Sequence, residues 1–461
     1  MTLGVFQAYD RAPICEVETD REQDLERKLA RAHSAFADRA GWLKPYERIA
    51  ALERLVPLLD AQRDSFAALI AREGGKPLLD ARVEATRAVD GVRNAIDELR
   101  NFGGQEIPMG LTAASDRRWA FTTREPIGVV AAISAFNHPL NLIVHQVVPA
   151  LATGCPVLIK PASATPLCCI EFVKLVRQAG FSEAWCDTLI TADTRLAEQL
   201  ATDPRVAFLS FIGSARVGWS LRSKLPPGTR CALEHGGSAP LLVDRAVDLD
   251  AIIEPIVKGG YYHAGQVCVS TQRIFVHEQL HDAFVERLSQ RVLALRVGDP
   301  RASETEVGPL ILPKEVERVA GWVDEAVASG AVITAGGKQS GETTYAPTVL
   351  VGPSASAKVS REEVFGPVTC VYRFRELGEA IDRANSLPLS FQASVFTRDL
   401  EVALRAAERL EASAVMINDH TAFRVDWMPF AGRKQSGYGI GGIGPTMQEM
   451  TQQKMIVFRR P

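Results

Sequence analysis

Two side chains in this sequence have the type and setting for covalent chemistry. Cys268 closes the run Gly265-Gln266-Val267-Cys268, and Glu234, 34 residues upstream, leads into His235-Gly236-Gly237. A thiol among small residues acts as a nucleophile once ionised. A carboxylate followed by two glycines has room to swing and can take a proton from water. A thiolate that bonds to an electrophilic carbon holds it as a covalent intermediate, and a thioester so formed is opened by water activated at a carboxylate.

Other short motifs accompany this pair in a fixed order. They are Asn137 in Phe136-Asn137-His138-Pro139, Lys160 before Pro161, Glu363 in Glu362-Glu363-Val364-Phe365-Gly366-Pro367, and Pro429-Phe430-Ala431-Gly432. Together, across about residues 119 to 458, they resemble the NAD(P)-dependent aldehyde dehydrogenase family. The resemblance implies an α/β fold: a Rossmann-like dinucleotide-binding domain, an α/β catalytic domain and a small β oligomerisation element. It makes Cys268 the nucleophile, Glu234 the base for deacylation and Asn137 an oxyanion donor beside the Cys268 backbone N–H. Family members that pass the acyl group to coenzyme A generally lack the glutamate, so Glu234 points to hydrolysis. His235 departs from the family, which has leucine there.

The same resemblance assigns the cofactor contacts. Gly213-Ser214 with Gly218 looks like the pyrophosphate turn at a helix start, where the exposed N–H groups favour phosphate. Lys160 would hold the adenosine ribose, Glu363 the nicotinamide ribose, and Phe365 would border the nicotinamide. NAD-preferring members often carry glutamate where this chain has Ser163, so the cofactor is expected to be NAD or NADP.

The substrate side resembles the subgroup acting on small polar aldehydes such as lactaldehyde and phosphonoacetaldehyde. His138, Val267, Phe423 and Arg424 are read as pocket residues. Arg424 either forks onto an anionic head group or pairs with Asp426 or Asp419. Apolar Val267, just before the nucleophile, counts against phosphonoacetaldehyde.

Elements must bring these residues together. The first hundred residues read as helices, over Leu25 to Ala40, Tyr46 to Arg72 and Leu78 to Phe102, from apolar residues at three- and four-residue steps. From Gly128 onward, apolar runs alternate with helical segments, which predicts parallel sheet covered on both faces. Residues 1–111 and 126–233 are assigned to the dinucleotide-binding domain and 234–440 to the catalytic domain. Residues 112–125 and 446–461 are assigned to oligomerisation strands, implying a homodimer or homotetramer.

Composition narrows the alternatives. A net charge of −3 offers no basic field for nucleic acid. No apolar stretch approaches the ~20 residues of a membrane span. The opening residues lack the pattern of a signal peptide, and eight cysteines without a spaced framework suggest reduced thiols in the cytoplasm. The zinc-like pattern His277-Glu278-Gln279-Leu280-His281 is expected to straddle a strand end and a helix start, which leaves no metal site. The remaining alternatives are an acylating or reductive enzyme on the same fold and a non-catalytic binding protein.

Overall fold

The apolar runs form the middles of two sheets. The protein is described by a computed structural model covering residues 2–461. In the first sheet, every residue of the strand Val129–Ile133 is buried, as a strand covered on both faces requires. Parallel strands need a crossover. The one to Val157–Lys160 is the wholly buried helix Asn141–Thr153. The order across the sheet is Gly437–Tyr438, Arg230–Glu234, Val206–Ile212, Val129–Ile133, Val157–Lys160, Cys186–Thr188. From Val129–Ile133 the chain builds outward to one side, then returns to Val206–Ile212 on the other. The carboxyl ends of those two neighbours are thus a topological switch point, where open α/β sheets bind ligands.

The second sheet runs Val332–Ala335, Thr348–Val351, Val368–Phe374, Thr271–His277, Ala239–Val243, Gln392–Phe396, Ala414–Ile417. Only its first strand is antiparallel to its neighbour. A third sheet pairs Thr451–Arg459 with Arg118–Pro126 in antiparallel register along their full length.

Several expectations need correction. The chain opens with a β-hairpin, Thr2–Phe6 against Pro13–Glu18, not with helix. Most of its residues are exposed or half-buried, so the sequence carries little alternation to announce it. The single helix expected over Tyr46 to Arg72 is two, Pro45–Asp60 and Arg63–Gly74. The break at Ala61–Gln62 uses neither glycine nor proline, so apolar spacing runs across it unmarked. Glu106–Ile107 joins the third sheet, and Gly437–Tyr438, assigned to the catalytic domain, pairs with Arg230–Glu234 in the first.

His277 ends its strand and His281 begins the helix His281–Leu293, so the two imidazoles sit on different elements. No helix among the described residues is long and apolar enough to cross a membrane. All eight cysteines are free thiols.

Candidate active site

A cavity of about 560 Å³ opens at the switch point and extends to the second sheet. Cys268, Glu234, Asn137 and Arg424 line it, with His138 and Val267 on the same walls. Gly213, Ser214, Glu363 and Phe365 line it too. Four residues read as site residues do not: Lys160, Ser163, Gly218 and Phe423. Phe423 is 42% exposed at the surface.

Cys268 sits on a loop that is fastened at several points. The preceding turn holds His263 and Ala264 at φ 49° and 54°, a left-handed conformation that side chains rarely adopt. Gln266 fixes the loop by donating to Pro309 O at 3.0 Å and accepting from Ile311 N at 3.0 Å. Its carbonyl accepts from Asn137 Nδ2 at 2.9 Å. One amide hydrogen of Asn137 is therefore engaged two residues before the thiol, and the other is free to serve an oxyanion.

The thiol donates toward Glu234 Oε1 at 3.6 Å. Burial pushes the Cys268 thiol well up, the Glu234 charge adds to this, and Arg424 works against it. Burial also raises the Glu234 carboxyl, with Arg424 opposing. The proton rests on sulfur, with its acceptor already in contact. The backbone of Glu234 is held on both sides. Glu234 ends a strand whose partner residue is Gly437, and its carbonyl accepts from Gly213 N at 3.0 Å. Gly236 makes room for Glu363: a Cβ there would lie 1.7 Å from the Glu363 carboxylate.

Glu363 is held by the Gly237 backbone, but burial dominates and raises its carboxyl to about 8. Its Oε1 is buried without a partner. Ser214 stands at the N-terminus of the helix Ala215–Arg222, whose unsatisfied N–H groups favour an anion. An orphaned acceptor and an open helix start on one cavity fit a dinucleotide. Lys160 Nζ donates to Pro161 O at 3.1 Å and Ser163 Oγ at 3.5 Å, so these two residues meet each other just outside the cavity.

Gly218 also has a steric reason to be glycine. A Cβ there would lie 2.0 Å from His235 Cε1. The His235 ring is packed between Phe211 and Trp219, each edge-on at 5.8 Å, and its Nδ1 donates to Gly213 O at 2.9 Å. The departure from leucine at 235 is thus accommodated by the turn it packs beneath.

Arg424 pairs with neither Asp426 nor Asp419. It lies face-on over Phe430, its guanidinium carbon 3.5 Å from the ring centroid, and its Nε has no partner. Asp426 is taken by Arg87 at 2.7 Å and His145 at 2.8 Å.

Residues 1–456 match the sequence profile of the aldehyde dehydrogenase family. The chain belongs to that family. It is similar to the 3-sulfolactaldehyde dehydrogenase of Priestia aryabhattai, with 37% identity over 456 residues, 99% of this chain and 94% of that protein. Its fold matches the crystal structure of aldehyde dehydrogenase 21 from Physcomitrella patens in complex with the reaction product succinate. The TM-score is 0.96 at 33% identity, covering 100% of this chain and 95% of that one. Glyceraldehyde-3-phosphate dehydrogenase GapN from Methanocaldococcus jannaschii, complexed with NADP, matches at TM-score 0.95 and 32% identity, covering 99% of each chain.

In this member of the aldehyde dehydrogenase family, several site residues carry no mark in the sequence. Arg87 lines the cavity from the helix Leu78–Arg100, where it reads as one charge on an amphipathic face. Lys76 and Glu84 are fully buried and ion-paired. Glu84 Oε1 accepts from the backbone N–H groups of Leu140 and Asn141 at 3.0 and 3.1 Å, tying the start of the helix that follows Asn137. Lys76 Nζ donates to His138 Nδ1 at 2.7 Å. The Gly74-Gly75-Lys76-Pro77 stretch reads only as a break between helices, and nothing local announces that its lysine points inward.

Proposed function

We propose that this chain is a non-acylating, NAD(P)-dependent dehydrogenase that oxidises a small aldehyde with a polar or anionic head group to its acid. The observation that carries the reading is the contact of Cys268 Sγ with Glu234 Oε1 at 3.6 Å, in one cavity with Asn137 and Arg424.

Glu234 takes the Cys268 proton as sulfur bonds to the aldehyde carbon. The oxyanion is met by Asn137 Nδ2 and the Cys268 backbone N–H; one such donor is worth roughly 3 kcal/mol of barrier. A bound nicotinamide dinucleotide supplies the hydride acceptor. The acyl group then remains on Cys268 as a thioester. Glu234, having released its proton to bulk water, takes another from the attacking water and returns it to sulfur. That water bonds to the acyl carbon, the C–S bond breaks, and the thiol is restored.

Glu363 would hold the nicotinamide ribose, Phe365 would border the ring, and Gly213 with Ser214 would meet the pyrophosphate. Ser163 places no carboxylate beside Lys160, and the likeness to an NADP complex keeps both cofactors in view. The sheet of Thr451–Arg459 and Arg118–Pro126 exposes Trp119, Met455 and Phe458, which suits a homodimer or homotetramer.

An anionic head group is favoured by Arg424, a cavity cation without a carboxylate partner, and by the similarity to a sulfolactaldehyde dehydrogenase. The test is a panel of lactaldehyde, 3-sulfolactaldehyde, succinic semialdehyde and butanal with each cofactor. The highest kcat/KM should fall on an anionic member. A preference for butanal over all three polar aldehydes would overturn the substrate reading.

A further inference from the structure

Arg424 is connected to a carboxylate that it never touches. Asp426 is buried, with 3% of its side chain exposed, and three side chains converge on it. Arg87 donates twice, from Nη2 to Oδ1 at 2.7 Å and from Nε to Oδ2 at 3.2 Å. Asn141 Nδ2 donates to Oδ1 at 3.1 Å, and His145 Nε2 donates to the same oxygen at 2.8 Å. An ionised carboxylate only accepts. Burial works against that charge, but His145 and Arg87 outweigh it and hold Asp426 far below the usual range. His145 Nε2 therefore carries the ring proton, and Nδ1 keeps its lone pair. Arg424 Nη2, which only donates, stands 3.4 Å from that Nδ1. Every direction in the chain Arg424 to His145 to Asp426 is fixed.

The imidazole separates orientation from neutralisation. A direct ion pair between Arg424 and Asp426 would aim the guanidinium and also cancel its charge. Burial holds His145 down to about 4, and the Arg424 charge adds to this, so the ring is neutral at neutral pH. It aims Arg424 without offsetting its charge. Among the described residues, no salt bridge joins Arg424 to a carboxylate, and the chief charge acting on it is that of Glu234 in the same cavity. The Phe430 face supports the guanidinium from one side. His145 lies behind Arg424, outside the set of residues lining the substrate cavity.

We propose that His145 is a positioning residue for substrate selection: it holds Arg424 toward the cavity while leaving the guanidinium charge free for the anionic head group of the aldehyde. This rests on the anionic-substrate reading above. The shared chemistry is an oxyanion group at the far end of a short aldehyde, carboxylate or sulfonate, met by charge-assisted N–H donors.

The test is steady-state kinetics on two His145 variants with succinic semialdehyde, 3-sulfolactaldehyde and butanal. His145→Leu keeps bulk and removes both hydrogen bonds. His145→Asn restores an acceptor on the Nδ1 side but does not reach Asp426. Loss of one charge-assisted contact predicts a KM rise of about 10-fold for both charged aldehydes with His145→Leu and about 3-fold with His145→Asn, with kcat and the butanal KM moving less than about 2-fold. The larger rise names the head group that Arg424 serves best. Equal KM rises for all three aldehydes, or a loss confined to kcat, would overturn the proposal. If His145→Leu does not fold, His145→Asn decides alone by the same criterion. Arg424→Met separates the two levels. A charged-to-neutral ratio unmoved by Arg424→Met removes the anionic-substrate reading. A ratio moved by Arg424→Met but not by the His145 variants removes only the positioning role.

Discussion

Glu234 Oε1 and Cys268 Sγ stand 3.6 Å apart, so the group suited to activate water is also the nearest base to the nucleophile. In the mechanism proposed above, this one carboxylate serves both halves of the reaction.

The first prediction concerns the thiol. The Glu234 charge pushes the Cys268 pKa up, so Glu234→Gln should bring it down, because thiolate formation no longer places two negative charges side by side. Alkylation of Cys268 by iodoacetamide, followed against pH, should show a midpoint below that of the wild type. A midpoint that stays or rises would show that Glu234 does not face the sulfur in solution.

Gly218 offers a second test, because it faces both the expected phosphate turn and the His235 ring. Gly218→Ala drives a methyl into the His235 ring and should cost roughly 1–3 kcal/mol by overpacking. Adding His235→Ala should recover most of this and restore cofactor affinity. Calorimetry and dinucleotide titration on the two variants check it. If the double variant still fails to bind cofactor, Gly218 is needed at the phosphates themselves.

Cofactor choice should respond to Ser163→Glu. The new carboxylate accepts from ribose hydroxyls and repels a 2′-phosphate, so kcat/KM should shift toward NAD. An unchanged ratio of the two kcat/KM values would place residue 163 away from the ribose.

Acid stability follows from two imidazoles, His145 buried and His138 largely so. Burial holds both His138 and His145 at about 4, with Lys76 adding to the first and Arg424 to the second. The unfolded chain binds these protons near pH 6.5. Between those values the unfolded state holds more protons, so stability is full above about pH 6.5 and falls as pH drops toward 4. Each histidine contributes a slope of up to about 1.4 kcal/mol per pH unit. Urea unfolding of His138→Gln from pH 7 to pH 4.5 should show a shallower decline than the wild type; identical slopes would contradict the assignment.

The Cys268–Glu234 pair, which the fold brings into contact, and the alternating α/β pattern were legible because each has a local signature. Cys268 and Glu234 lie in short motifs of small residues, and buried parallel strands read as continuous apolar runs. What escaped is made of distant partners. Glu84 ties the loop of Asn137 across 56 residues, and Arg87 reaches Asp426 across 339. No local pattern encodes such a pairing. The glycines show the same limit: Gly236 and Gly218 lie against Glu363 and His235, which only the fold brings to them. Arg424 was left between two readings because Asp426, two residues away in sequence, is claimed by other donors in space.

The covalent account meets its most direct test in Glu234→Gln mixed with aldehyde and NAD(P), quenched in acid after a single turnover and digested for mass spectrometry. The account predicts NAD(P)H formation that stops after one equivalent per active site, whatever the rate at which the thiol now loses its proton to water, and an acyl mass on the peptide carrying Cys268, absent when Cys268 is also changed to alanine. A full burst with no adduct on Cys268, or an adduct on another residue, would contradict it.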